Sequence, residues 1–231
     1  MRHSTRSVLE DYYAELFGID RQSVWNAVTA QTRSGRLKDY EGYYVATRGA
    51  GAHVSAPPSA DLRVLKALAK EPVEIIRQPA FWEEFAATRA LRDIGPSTHA
   101  YLDGDPGPVD GVVRVNGDEL TSLRRLVADA DRAESGWNDK PAHAFGLYED
   151  GVLVAASNLN SFHQQPRDIG VIVAQGWRGR GLSEKLGRHA ASFAIREHGF
   201  ARWGARHANG ASVAASRRLG FEPWCCQLAV R

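Results

Sequence analysis

Sulfur is scarce in this sequence: of 231 residues, two are cysteine and one is methionine. The cysteines, Cys225 and Cys226, are adjacent, so on a strand their side chains leave opposite faces and no bridge between them is expected. They read as ordinary reduced strand residues, and a core must hold the fold without disulfides. No uninterrupted apolar run approaches the ~18 residues of a membrane span. Charge of one sign is also missing. Lys and Arg number 29 against 27 Asp and Glu, a net +2, which gives no broad field to draw nucleic acid or a membrane surface. The basic start is followed by Glu10, Asp11 and Glu15 rather than the apolar centre of a signal peptide, so a cytoplasmic location is expected. With 43% hydrophobic residues and a mean hydropathy of -0.37, the chain is globular and long enough to bury a sizeable core.

Turn chemistry sets the organisation. Asp103-Gly104-Asp105-Pro106-Gly107-Pro108 cannot continue a helix or strand, and a boundary is expected there, between a lead region of residues 1–105 and a domain of residues 106–231. In the lead region, helices are expected over 7–17, 21–32, 59–70 and 81–91. Strands are expected over 43–48, 53–55, 73–77 and 98–102. Beyond the boundary, 112–115 reads as a strand and 119–133 as a helix. A hairpin of 142–148 and 152–158 follows around Glu149-Asp150-Gly151. Then come a strand at 168–174, a loop at 175–180 and a helix at 182–198 ended by Gly199. A strand at 201–207, a helix at 211–219 and a strand at 223–230 finish the chain. The C-terminal part is therefore an α/β unit with a strand-loop-helix-strand centre.

That centre carries the most informative stretch, Val171 to Ser183. Glycines 176, 179 and 181 free the loop backbone, and the helix start adds unpaired N–H donors and a positive dipole end. Arg178 and Arg180 add formal charge, a combination suited to phosphate or pyrophosphate. The plain alternative is a glycine-rich turn joining strand to helix. Two nucleotide motifs are excluded by position. A mononucleotide P-loop would need lysine where Leu182 stands, and the dinucleotide fingerprint would need glycine where Glu184 stands. The histidines lack zinc spacing, the cysteines lack Cys-x-x-Cys, and no Gly-x-Ser-x-Gly elbow occurs, so neither a metal site nor a serine hydrolase is supported.

The loop resembles that of the GNAT superfamily of acyl-CoA N-acyltransferases, Arg/Gln-x-x-Gly-x-Gly/Ala between a strand and a long helix. A second stretch is similar to that family's Asn-x-x-Ala-x-x-x-Tyr-x-x-x-Gly-Phe: Asn209, Ser212, Ser216, Gly220 and Phe221 keep its spacing. The resemblance covers roughly residues 112–231. Gly176 stands where the family has Arg or Gln, and Ser216 where it often has a tyrosine acid.

The resemblance implies an α/β fold, a GNAT-like mixed sheet flanked by helices. The lead region would be an additional α+β part, either a degenerate acyltransferase-like half or a cover for the substrate. It also implies acetyl-CoA as co-substrate, with no metal. The pantetheine would lie along the backbone of Val171 and Val173, the pyrophosphate on the N–H groups of Arg178, Gly179, Arg180, Gly181, Leu182 and Ser183, and Asn209 would touch the cofactor. The reaction would be direct attack of a primary amine, of a small molecule, on the thioester. Asp168 is the preferred base, directly or through water, and Ser216 would hold a water in place of the tyrosine. A surface aspartate at a strand start is the other reading of Asp168. His163 and His207 are alternative bases, and His143 reads as packing. Two other functions stay open: a catalytically weak acyl-CoA-binding or sensing module, and acetylation of protein or RNA through a patch of Arg33, Arg36 and Lys38. A dimer is possible on this reading. Trp25, Tyr40, Tyr43, Tyr44, Phe81 and Trp82 are expected to pack a core.

Overall fold

The computed structural model describes every residue except Asp139, and the described residues form a mixed α/β fold with ten strands and eight α-helices. They divide into two compact units. One contains Met1, Ala100–Gly204 and Ala211–Glu222; the other contains Arg2–His99, Ala205–Gly210 and Pro223–Arg231.

In the second of these, helix α1 (His3–Phe17) buries Leu9, Tyr13, Leu16 and Phe17, a stripe at i, i+4 and i+7 to i+8. Gly18, at φ 66°, ends it in the left-handed region. Strands β1 (Val28–Thr32), β2 (Tyr43–Arg48) and β3 (Gly51–Ala56) follow. The expected helix over 21–32 is absent: its second half is β1, paired in parallel with β3 from Val28 opposite Ala52 to Thr32 opposite Ala56. The cause is tertiary. A Cβ on Gly51 would lie 2.2 Å from the backbone of Trp25, so the chain crosses β3 at close range, and the ladder outweighs local helix propensity.

Helix α2 (Leu62–Leu68) is capped by Asp61, whose side chain accepts from the N–H of Arg63. Residues 73–77, expected as a strand, form the one-turn helix α3 (Val73–Ile76) before α4 (Pro79–Ala87). Val73 and Ile76, three apart, both turn into the core, and the Ile76 carbonyl accepts the Trp82 indole N–H at 2.7 Å. The core of this unit collects Tyr43, Val45, Val54, Leu65, Leu68, Ile76, Trp82, Phe85, Leu228 and Val230. Trp25, Tyr43, Tyr44 and Trp82 are buried, in keeping with packing roles.

Strand β4 (Asp93–Leu102) leads into the other unit, which continues with β5 (Val113–Arg114) and α5 (Gly117–Arg124). A capping box starts α5: the Asn116 side chain accepts from the backbone at Asp118 and Glu119, and Glu119 reaches back to the Asn116 N–H. The single helix expected over 119–133 is two helices, α5 and α6 (Asp129–Glu134). Between them Val127 turns into the core, and Arg132 donates to the carbonyls of Arg124 and Val127. The carbonyl of Arg124, the last residue of α5, is thereby satisfied from outside the helix.

Strands β6 (His143–Glu149), β7 (Val152–Phe162) and β8 (Gln165–Val173) form an antiparallel meander. Both hairpins turn on two residues of positive φ, Asp150-Gly151 and His163-Gln164, which match the twist of the strands they join. Helix α7 (Leu182–His198), β9 (Ala201–Arg206), α8 (Gly210–Arg218) and β10 (Glu222–Val230) complete the chain. The bounds of α7 are those expected, with Gly199 in the left-handed region as its stop. Leu186, Ala190, Ala191, Ala194 and Ile195 are its buried face.

Candidate active site

Strand β8 is the axis of the site. Along β7 it is paired from Gln165 opposite Phe162 to Val173 opposite Ala155. On its other side, one parallel register pair joins it to β9 among the described residues, Asp168 with Arg202. Within the unit that contains β8, where β9 runs from Ala201 to Gly204, no register pair follows at Ile169 or Gly170 among the described residues, so β8 parts from β9 there and leaves strand-type groups open to an extended guest.

At the end of this opening the chain enters a 3-10 turn (Gln175–Trp177) and then the start of α7. Gly179 and Gly181 have φ of 77° and 75°, and an added Cβ at either meets nothing within 4 Å. These glycines serve both backbone shape and open approach. No chain hydrogen bond begins at the N–H groups of residues 179–183 among the described residues. Gly181 is the N-cap of α7 and offers no side chain to it, so the helix keeps its donors and dipole for a ligand. Arg180 donates to the Gly176 carbonyl at 3.3 Å. Arg178 is engaged more firmly, with Asp131 at 2.7 Å and the Val173 carbonyl at 3.2 Å. Leu182 is buried and Ser183 partly so. Glu184, in the first turn, is neutralised by Arg218 of α8 at 2.6 Å.

Asp168 lies at the closed end of the opening, largely buried, with its carboxylate 2.6 Å from the Arg202 guanidinium. Burial pushes its carboxyl above the ordinary carboxylate range, and Arg202 pulls against that shift. The Arg202 guanidinium also lies over the Phe162 ring, 5.1 Å from its centroid. Facing the middle of β8 is the segment after α6. Asn160 donates to the Gly136 carbonyl at 2.8 Å, and Asn158 donates to the Asn160 side chain at 3.0 Å. A Cβ on Gly170 would stand 2.6 Å from the Ser135 carbonyl oxygen, so this glycine admits the segment to the sheet surface. The sequence pointed to neither asparagine nor Arg202. A charged residue amid the buried positions of the strand Ala201-Arg202-Trp203 was the available signal.

Asp168, Val171, Val173, Arg178 to Ser183 and Ser216 all fall in one unit, whereas Asn209 falls in the other. Ser216 is buried on α8, and its carbonyl accepts from the Phe221 N–H at 3.1 Å. Asn209 immediately precedes α8, with its N–H on the Arg206 carbonyl at 3.0 Å. His207 shares a 2.9 Å hydrogen bond with Thr98. His163 sits at the hairpin tip with φ 49°. His143 packs 4.6 Å from the Phe193 ring. Both cysteines are thiols, and Cys225 donates to the Tyr13 hydroxyl at 3.1 Å. Arg36 pairs with Glu15, which removes one cation from the basic patch. Among the described residues no helix is long and apolar enough to cross a membrane, and no three His, Cys, Asp or Glu side chains gather as metal ligands.

Residues 116–221 match the model of the acetyltransferase (GNAT) family. Among solved structures, the chain is similar to a protein described as a GNAT-family acetyltransferase from Novosphingobium aromaticivorans, at 20% identity and TM-score 0.51, covering 61% of this chain and 66% of that one. It is also similar to a GNAT-family acetyltransferase from Colwellia psychrerythraea, at 13% identity and TM-score 0.51, over 100% and 97% of the two chains. A Drosophila protein matches at 16% identity and TM-score 0.50, over 100% and 96%. At these identities the likeness is one of fold. Comparison with curated protein sequences gives no match.

Proposed function

Because residues 116–221 match the model of the acetyltransferase (GNAT) family, we propose that the protein transfers the acetyl group of acetyl-CoA to the primary amine of a small molecule. The observation that carries this reading is the parting of β8 from β9 beyond Asp168, directly before the glycine loop and the uncapped start of α7. An extended pantetheine fits the first as an added strand. A pyrophosphate fits the second, where donors are backbone N–H groups at 179–183 and the glycines leave room.

Bound acetyl-CoA supplies an activated thioester. The chain's own residues orient it and handle protons. Backbone groups of Val171 and Val173 hold the arm beside the reacting carbon, and one free N–H of β8 stabilises negative charge on the carbonyl oxygen. Asp168 takes the amine proton, directly or through water. Its raised pKa, caused by burial against the pull of Arg202, brings it nearer the range useful to a base. The departing thiolate, with an ordinary thiol pKa of about 8.5, needs little acid help, which a water held at Ser216 supplies. No metal takes part in this reading.

Release of free thiol from acetyl-CoA across a panel of primary amines tests the proposal. Amine-dependent turnover supports it; a flat panel with acetyl-CoA bound refutes the transfer. One observation favours a second reading, an acyl-CoA-binding module with little turnover: position 216 offers a buried hydroxyl and no phenol. Ser216→Tyr separates the two, since activity appearing only in that variant supports the binding module.

A further inference from the structure

We propose that Arg202 is a positioning residue for Asp168, fixing its carboxylate at the closed end of the opening between β8 and β9. The inference rests on the reading of Asp168 as the base. Three observations support it. The two residues are the register pair at which β8 and β9 meet, so their ion pair marks where the opening begins. Their contact is 2.6 Å, and both side chains are largely buried, Arg202 at 15% exposure and Asp168 at 24%, so solvent screens the pair weakly. The guanidinium is itself held by the Phe162 ring, which restricts the plane from which it can donate.

The surroundings leave Arg202 as the charge that matters to Asp168. On β7 the register partner is the neutral Asn160, and the hairpin tip carries His163. On its own strand, Arg167 donates to the carbonyl of His198 at the end of α7 at 2.9 Å and lies over the Phe200 ring. Beside burial, Arg202 is the group that shifts the Asp168 carboxyl. A guanidinium in this place does two separable things. Its charge keeps a buried carboxylate ionised, and its Nη1, set on Oδ1 of Asp168 by the planar guanidinium, fixes the direction in which the carboxylate faces.

The test uses the full chain with its aspartate carboxyl carbons labelled, the Asp168 signal being assigned by its loss in Asp168→Asn. Replacing Arg202 with Met is expected to raise the titration midpoint of Asp168 by about 1–3 pH units, and to move the acid limb of kcat/KM upward with it. In Arg202→Lys, charge stays and the fork is lost. The midpoint then stays within about one pH unit of wild type while kcat falls roughly tenfold, with acetyl-CoA affinity unchanged. Should Arg202→Met fail to fold, the lysine variant carries the test, and a wild-type kcat there overturns the proposal. A midpoint that does not move in Arg202→Met also overturns it. The underlying reading fails separately: wild-type turnover in Asp168→Asn removes the base, and Arg202's role with it. Loss of turnover in Asp168→Asn beside an unmoved acid limb in Arg202→Met keeps the base and removes Arg202.

Discussion

Arg178 is bound to Asp131 across 2.7 Å, its Nη2 on the carboxylate and its Nε on the carbonyl of Val173. An arginine in a glycine loop reads from sequence as a phosphate ligand, but here its side chain ties the loop to α6. Its backbone N–H is what a pyrophosphate would meet. The pair is about half exposed, so it contributes on the order of 0–1 kcal/mol to stability. Arg178→Ala is therefore expected to weaken acetyl-CoA binding by less than about fivefold in calorimetry. A loss of a hundredfold would return the side chain to the phosphate.

Gly179 and Gly181 should be far less tolerant. Both hold φ near +75° with open space where a side chain would project, so a β-branched residue strains the loop and fills the approach to the N–H groups. Gly181→Val is expected to cost acetyl-CoA affinity at least about thirtyfold, roughly 2 kcal/mol, with the far-ultraviolet spectrum unchanged. Undiminished affinity would reduce the junction to a structural turn.

Gly170 answers to packing rather than conformation. A methyl group there would press on the Ser135 carbonyl and the Asn158 side chain, and overpacking of this kind costs about 1–3 kcal/mol. Gly170→Ala should lower Tm by several degrees and raise KM for the amine more than for acetyl-CoA, because the displaced segment faces the middle of β8.

Acid should destabilise the second unit through His53. Its ring is buried between Thr29 and Ser55, hydrogen-bonded at 2.7 and 2.8 Å and stacked on Phe17. Burial depresses its pKa from 6.5 to about 3. The unfolded chain takes up the proton first, so stability is complete above about pH 6.5 and falls as pH drops from there toward 3. Between pH 7 and pH 5 the loss is about 2 kcal/mol, readable as a lower urea midpoint. His53→Gln should flatten that dependence.

The parts of the fold legible in the sequence are those where local pattern and tertiary environment agree. Helix α7 shows its buried stripe, its glycine entry and its glycine stop, and its bounds match the structure. The glycine loop was legible because positive φ demands glycine. Residues 21–32 failed for the opposite reason: their periodicity is ambiguous, and the decision lies in the close crossing of Trp25 over Gly51, twenty-six residues away. The break between α5 and α6 depends on Arg132 reaching back to two carbonyls, which no pattern of apolar residues encodes. Within the site, Asp168 could be picked out as a carboxylate near the start of a strand, although β8 begins earlier, at Gln165, so Asp168 stands inside the ladder rather than opening it. Its partner could not, because the Arg202 pairing arises from a crossover that brings β9 beside β8.

Thermal unfolding of the full chain with acetyl-CoA, against NAD and ATP as controls, tests the central claim most directly. At ~100 times its dissociation constant, a ligand of the folded state adds about 2.7 kcal/mol, a rise of roughly 5–11 °C for a chain of this size. The account predicts that rise with acetyl-CoA and none with the other two. No shift with acetyl-CoA, or an equal one with ATP, would contradict it.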